Sequence, residues 1–208
     1  MAEDKVIIES AMPLEFIRPA ETVIREDVAG EKRKVMKLTG RLQYANKPNQ
    51  NGRIYEKAVL EQAIKSIEES IKSRRVLGEF DHPSDAKIHL ANVSHLITKL
   101  WMEGEEVLGE MEILEDTTSG HQLKALVKAG VQLGISSRGA GEMEQVVIEG
   151  EEYHRVLPGY SLITFDIVAE PSVPGAYLSV LESRERRIKN FRKEHEQAII
   201  EELKKHLS

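Results

Sequence analysis

Three short motifs, in a fixed order, each set one catalytically capable side chain at the edge of an apolar run. They are Leu77-Gly78-Glu79-Phe80-Asp81-His82-Pro83, Gly134-Ile135-Ser136-Ser137-Arg138-Gly139, and Ile163-Thr164-Phe165-Asp166-Ile167-Val168-Ala169-Glu170-Pro171-Ser172. Together they supply a histidine, a serine and an aspartate. That set makes a hydroxyl nucleophilic at neutral pH.

The serine motif offers two neighbouring hydroxyls. On a strand their side chains point to opposite faces, so only one of Ser136 and Ser137 can face a site. Gly134 and Gly139 permit close approach of a substrate backbone. Amide N–H groups just after the nucleophile could hold an oxyanion, and Arg138 could add positive charge. The pair alone is a weak signal, because Gly-x-Ser-Ser also occurs in ordinary turns, and the Gly-x-Ser-x-Gly frame of the α/β-hydrolases is absent.

Of the seven histidines, His82 stands out in a tight Asp-His-Pro corner after an apolar run. Pro83 keeps the backbone of His82 extended, which can aim an imidazole or simply make a turn. His89 and His95 read as strand residues without a special role. His195 and His206 read as solvated. Asp81, His82, Asp85 and His89 could also be taken as nitrogen and oxygen ligands for zinc, but their spacing matches no compact motif such as His-Glu-x-x-His. Asp166 sits between Phe165 and Ile167, where a charge is costly to bury unless something pairs with it. It serves a site, faces solvent, or bridges to an arginine. Thr164 lies two residues away on the same side.

The elements that must position these residues are mostly short strands. Arg33–Tyr44, Val76–Phe80, Leu133–Ser137 and Leu162–Val168 read as strands. Val93–Met102 with Val107–Leu114, and Gln145–Ile148 with Tyr153–Val156, read as hairpins. The cluster Asn46-Lys47-Pro48-Asn49-Gln50-Asn51-Gly52 is a loop. Helices are expected from Glu56 to Ser73 and from Thr117 to Ala129, the second capped by hydroxyls and ended by Gly130. The fold class is α+β: a small bent β-barrel or sheet surrounded by helices. Residues 1–30 read as a loosely attached N-terminal segment open to processing, and 31–182 as the catalytic domain. Residues 183–208 read as a charged amphipathic helix that packs, pairs or is removed.

The chain has 208 residues, enough for one domain with a core, and no cysteine. Disulfides, cysteine-ligated zinc and a cysteine nucleophile are therefore excluded. No apolar run reaches the length of a membrane span, and the N-terminus lacks a secretory signal. The net charge is -6, although the tail from Ser183 onward carries eight Lys/Arg against five Asp/Glu. An acidic body argues against nucleic acid as a direct partner.

With those motifs quoted, and with the loop Pro48-x-x-Asn51-Gly52-Arg53-x-Tyr55 and the run Asp166-Ile167-Val168-x-x-Pro171-Ser172-x-Pro174-Gly175-Ala176, the chain resembles the prohead core proteases of tailed bacteriophages, T-even type, from about Leu38 to Val180. The resemblance implies a fold similar to herpesvirus assemblins. It implies a serine endopeptidase that cuts scaffold, core and capsid proteins inside the immature prohead in the host cytoplasm. By motif, His82 is the general base, Ser137 the nucleophile and Asp166 the third member. Ser137 is preferred to Ser136 because it directly precedes Arg138. Backbone N–H groups near Arg138 and Gly139 hold the oxyanion, with Ser136 and Thr164 in support. No cofactor or metal is required.

Such proteases resemble one another in cutting after glutamate, with an aliphatic residue two positions earlier and a small residue next. Ile7-Ile8-Glu9-Ser10 fits well and Val180-Leu181-Glu182-Ser183 less well, so self-cleavage is expected at Glu9/Ser10 and Glu182/Ser183. Ile67-Glu68-Glu69-Ser70 also fits but falls inside an expected helix. The partners implied are scaffold, core and capsid proteins, the chain itself as substrate, and a homo-oligomer. The rival readings are a non-catalytic scaffold or assembly protein on the same fold, and an esterase.

Overall fold

The structure is a computed structural model. It describes residues 5–9, 12–13, 15–26, 30–81, 83 and 85–169. His82, Ser10, Glu182, Ser183 and the expected helix 183–208 lie outside the described residues. The chain divides into two compact units, Met1–Ser172 and Val173–Ser208, and every described residue belongs to the first.

In chain order the elements are β1 (Lys5–Ile8), β2 (Met12–Pro13), β3 (Glu15–Glu26), β4 (Lys32–Tyr44), β5 (Arg53–Tyr55), α1 (Lys57–Lys72), β6 (Leu77–Glu79), β7 (Val93–Glu103), β8 (Glu106–Ile113), α2 (Thr118–Lys128), β9 (Gly134–Gly141), β10 (Met143–Ile148), β11 (Glu151–Val156) and β12 (Ser161–Val168). The strands form three sheets. One runs β1-β9-β12 with β2 also on β9, one runs β10-β11-β5, and one runs β3-β4-β8-β7-β6. Phe80 adds a parallel bridge to Ile167, tying the end of β6 to β12.

The described residues are thus mostly β-sheet with two α-helices, and of the expected bent barrel or sheet no closed barrel is formed among them. Open edges remain on the sheets, so closure is not how this fold satisfies its backbone.

Local chemistry accounts for the elements. Helix α1 buries Val59, Leu60, Ala63 and Ile71 on one face, the 3.6-residue spacing seen in the sequence. Thr117 caps α2 by accepting from the Gly120 amide at 2.9 Å. The β10–β11 hairpin turns on Glu149 and Gly150, both at positive φ (53° and 87°), the geometry of a two-residue turn whose twist suits a hairpin. Leu38, Leu42, Leu60, Ile97, Met111, Leu123, Ile135, Phe165 and Ile167 are among the residues that fill one continuous core.

The described residues among the first thirty are strands paired into the sheets. Strand β1 pairs with β9, and β3 pairs with β4 from Glu15 to Glu26. The β3 ladder shifts register on both sides of Arg18, next to Pro19, whose missing N–H cannot join it. The partner of β1 and β2, strand β9, is distant in sequence, so no local pattern announces that pairing.

Candidate active site

Strand β9 lies between β1 and β12, and residues 134–139 are buried. The β9–β12 register sets Asp166 opposite Ser136, Phe165 opposite Ser137 and Thr164 opposite Arg138. Directly paired residues share a face, and neighbours along a strand do not. Ser136, Arg138, Thr164 and Asp166 therefore share one face. Ser137, Gly139 and Phe165 share the other. Ser136 is therefore the hydroxyl on the aspartate's side of the sheet, and Ser137 the hydroxyl on the other.

On that face Asp166 is fully buried and paired. One oxygen, Oδ1, accepts from the Glu79 amide at 3.0 Å and from Arg138 Nη2 at 3.2 Å. The other lies 3.1 Å from Arg138 Nε. Arg138 is itself wholly buried, donating from Nη1 to the carbonyls of Lys87 at 2.7 Å and Asp85 at 3.2 Å. The arginine-bridge reading of Asp166 thus holds. The guanidinium is committed to Asp166 and the 85–87 loop, so it is not the free oxyanion donor expected from sequence.

Two residues escaped the sequence reading. Glu79 is completely buried and accepts from the His89 amide, with Arg138 Nη2 3.5 Å away. His95 is buried beneath β12. Its Nε2 faces the Phe165 carbonyl at 3.0 Å, and a carbonyl only accepts, so Nε2 carries the proton and Nδ1 accepts from Ser94 Oγ at 2.9 Å. Burial holds the His95 pKa down at about 4, so the ring is neutral. It fixes the strand segment that carries Asp166. Gly78 is needed for this: a Cβ there would fall 2.0 Å from His95 Nε2.

Phe80 and Asp81, at the end of β6, reach the same strand. Phe80 bridges to Ile167, and the Asp81 amide donates to the Ile167 carbonyl at 2.8 Å. Asp81 takes a left-handed backbone (φ 75°). Asp85 and His89, two of the zinc candidates, sit 3.7 Å apart. No cluster of three or more His, Asp or Glu able to hold a metal occurs among the described residues.

The N-terminal strand completes the arrangement. Ile7 pairs with Gly139, Ile8 with Arg138, and the Glu9 amide donates to the Ser137 carbonyl at 3.0 Å. Ser136 Oγ donates to the carbonyl oxygen of Glu9. Pairing resumes with Met12 opposite Ile135, so β1 and β2 flank Ser136. The further matching sequence, Ile67–Ser70, lies within α1.

The fold thus sets two neighbouring serines on the buried strand β9. The family model for the prohead core protein serine protease matches residues 4–187, and the chain belongs to that family. It is 33% identical over 151 residues to the prohead core protein protease of Enterobacteria phage T4, covering 71% of this chain and 70% of the relative. Its fold matches the solved structure of the bacteriophage T4 capsid assembly protease, gp21, with a TM-score of 0.68 and 27% identity, across 80% of this chain and 99% of that one.

Proposed function

We propose that this chain is the serine endopeptidase of a phage prohead, with Ser136 as nucleophile, His82 as general base and Asp166 as the residue that orients His82. The single observation that carries the assignment is the Ser136 hydroxyl on the Glu9 carbonyl, on a residue that pairs directly with Asp166. Ser137 lacks both relationships.

The chemistry follows from those roles. His82 takes the Ser136 hydroxyl proton as Oγ bonds to the carbonyl carbon of a substrate glutamate. Backbone N–H groups around Arg138 and Gly139 would hold the oxyanion, since the guanidinium is occupied. His82 returns the proton to the leaving nitrogen as the C–N bond breaks. Water then hydrolyses the ester and frees the new carboxylate. Asp166 helps to keep the imidazole oriented, and Arg138 balances its charge.

The same reading extends to an assemblin-like relationship of fold, to scaffold, core and capsid proteins as substrates, and to action inside the immature prohead in the host cytoplasm as a homo-oligomer. It includes self-processing at Glu9/Ser10 and at Glu182/Ser183. The test is hydrolysis of a peptide containing Ile-x-Glu-Ser, with a serine-directed phosphonate adduct mapped by mass spectrometry. The expected result is cleavage after glutamate and the adduct on Ser136. An adduct elsewhere, or turnover of simple esters but not of the peptide, overturns the proposal. An assembly protein without catalysis would give neither cleavage nor adduct.

A further inference from the structure

The chain between β6 and β7 carries no strand and no α-helix, and most of its described residues from Asp81 to Asn92 are exposed. Its base is closed by the Phe80 amide, which donates to the Asn92 carbonyl at 2.8 Å. A surface loop of this kind is ordinarily mobile along the rest of its length.

This loop is instead held from beneath by two charged side chains that are themselves wholly buried, Arg138 from β9 and Glu79 from the end of β6. Arg138 Nη1 donates to the carbonyls of Asp85 and Lys87 at 3.2 and 2.7 Å. Glu79 Oε1 accepts the His89 amide. Residues 85, 87 and 89 are thus each tied through the backbone, and the Lys87 amide turns back onto Asp85 Oδ1 at 3.0 Å. The loop's first residue is tied as well: the Asp81 amide donates to the Ile167 carbonyl at 2.8 Å. Arg138 is in turn fixed on Asp166, through Nε at 3.1 Å and Nη2 at 3.2 Å. Asp81 and Asp85 are therefore fastened to neighbouring residues of β12, one directly to Ile167 and one through the guanidinium on Asp166.

Stability alone does not account for this choice of residues. Glu79 and Asp166 are two buried carboxylates around one buried guanidinium, with Glu79 Oε1 3.5 Å from Arg138 Nη2. Apolar residues commonly replace such a cluster without loss of stability. What Glu79 supplies is an acceptor at a defined place under the loop.

We propose that Glu79 is a positioning residue of the reaction: with Arg138 it clamps residues 85–89 to β9 and β12, and so fixes the span 82–84, which contains the general base, relative to Asp166. Tying both ends of so short a span removes most of its backbone freedom before substrate arrives. Loss of the clamp slows proton transfer and leaves substrate binding along β9 in place. This rests on the reading of His82 as general base given above.

The test compares full-length wild type, Glu79→Ala, Glu79→Gln and His82→Ala on the Ile-x-Glu-Ser peptide. Glutamine keeps an acceptor for the His89 amide, and its NH₂ falls where Oε2 meets no donor among the described residues. Glu79→Ala should lower kcat on the order of 100-fold with KM within roughly threefold, and Glu79→Gln should return kcat to within roughly tenfold of wild type. A merely structural residue would give neither that split nor that rescue. Wild-type kcat in Glu79→Ala, or equally slow alanine and glutamine variants, overturns the clamp. Turnover retained by His82→Ala overturns the general-base reading, and the catalytic role of the clamp with it.

A second measurement needs no turnover: hydrogen exchange of the His89 amide. It should be slower in wild type than in an unstructured peptide by about 100-fold or more, equally slow in Glu79→Gln, and about tenfold or more faster in Glu79→Ala. If the alanine variant does not fold, wild type still decides, because a His89 amide that exchanges as fast as an unstructured peptide overturns the proposal.

Discussion

Asp166 stands directly across the β9–β12 ladder from Ser136, and Phe165 stands across from Ser137. One residue of difference on a strand exchanges the two faces of the sheet, so this relationship decides which hydroxyl shares an environment with the aspartate. The Ser136 hydroxyl meets the Glu9 carbonyl, while Ser137 lines the far side with Gly139 and the Tyr160 ring.

The Asp166–Arg138 pair is the buried electrostatic anchor of the site. Arg138→Ala would leave Asp166 buried with its cation gone and Glu79 close by, a loss of about 3–5 kcal/mol in a denaturant titration. Arg138→Met combined with Asp166→Leu should recover much of that stability while remaining inactive. Equal stability of Arg138→Ala and wild type would show that the pair is not what holds these strands.

His95 predicts a pH dependence. Its folded pKa of about 4 lies below the ordinary 6.5, so between those values the unfolded chain binds a proton that the folded chain refuses. Stability contributed by the neutral ring is complete above pH 6.5 and is lost as pH falls to about 4, to a total of about 3 kcal/mol. Unfolding free energies from pH 7 to 4 should fall more steeply in wild type than in His95→Gln. Parallel curves would contradict this.

Gly78→Ala tests the same support from the other side. Its Cβ would meet His95 Nε2 at 2.0 Å and the Phe165 carbonyl oxygen at 2.5 Å, and a backbone oxygen cannot swing away. The expected cost is at the upper end of the roughly 1–3 kcal/mol usual for overpacking, with activity lost because the segment bearing Asp166 shifts. Thermal unfolding alongside peptide hydrolysis reads both effects. A variant as stable and active as wild type would rule out the close approach.

Much of this was legible in the sequence because it is local. Helix α1 followed from its apolar spacing, α2 from its cap, and both hairpins from their turn residues. The segments 78–81, 134–139 and 163–168 meet around β12. What was not legible is non-local. Alternation says that Ser136 and Ser137 differ in face but not which face holds Asp166; only the ladder with β12 supplies that. Glu9 and the Asn49–Tyr55 loop were both visible, one as a cleavage sequence and one as a motif. Their contact spans some forty residues, and no periodicity encodes it. Arg138 read as a free charge because its partner, Asp166, lies 28 residues away.

The most direct test is the intact mass of the full chain after incubation, in wild type, Ser136→Ala and Ser137→Ala. The account predicts loss of residues 1–9 in wild type and in Ser137→Ala, and an intact N-terminus in Ser136→Ala. An intact Ser137→Ala beside a trimmed Ser136→Ala would contradict it and return the nucleophile to Ser137.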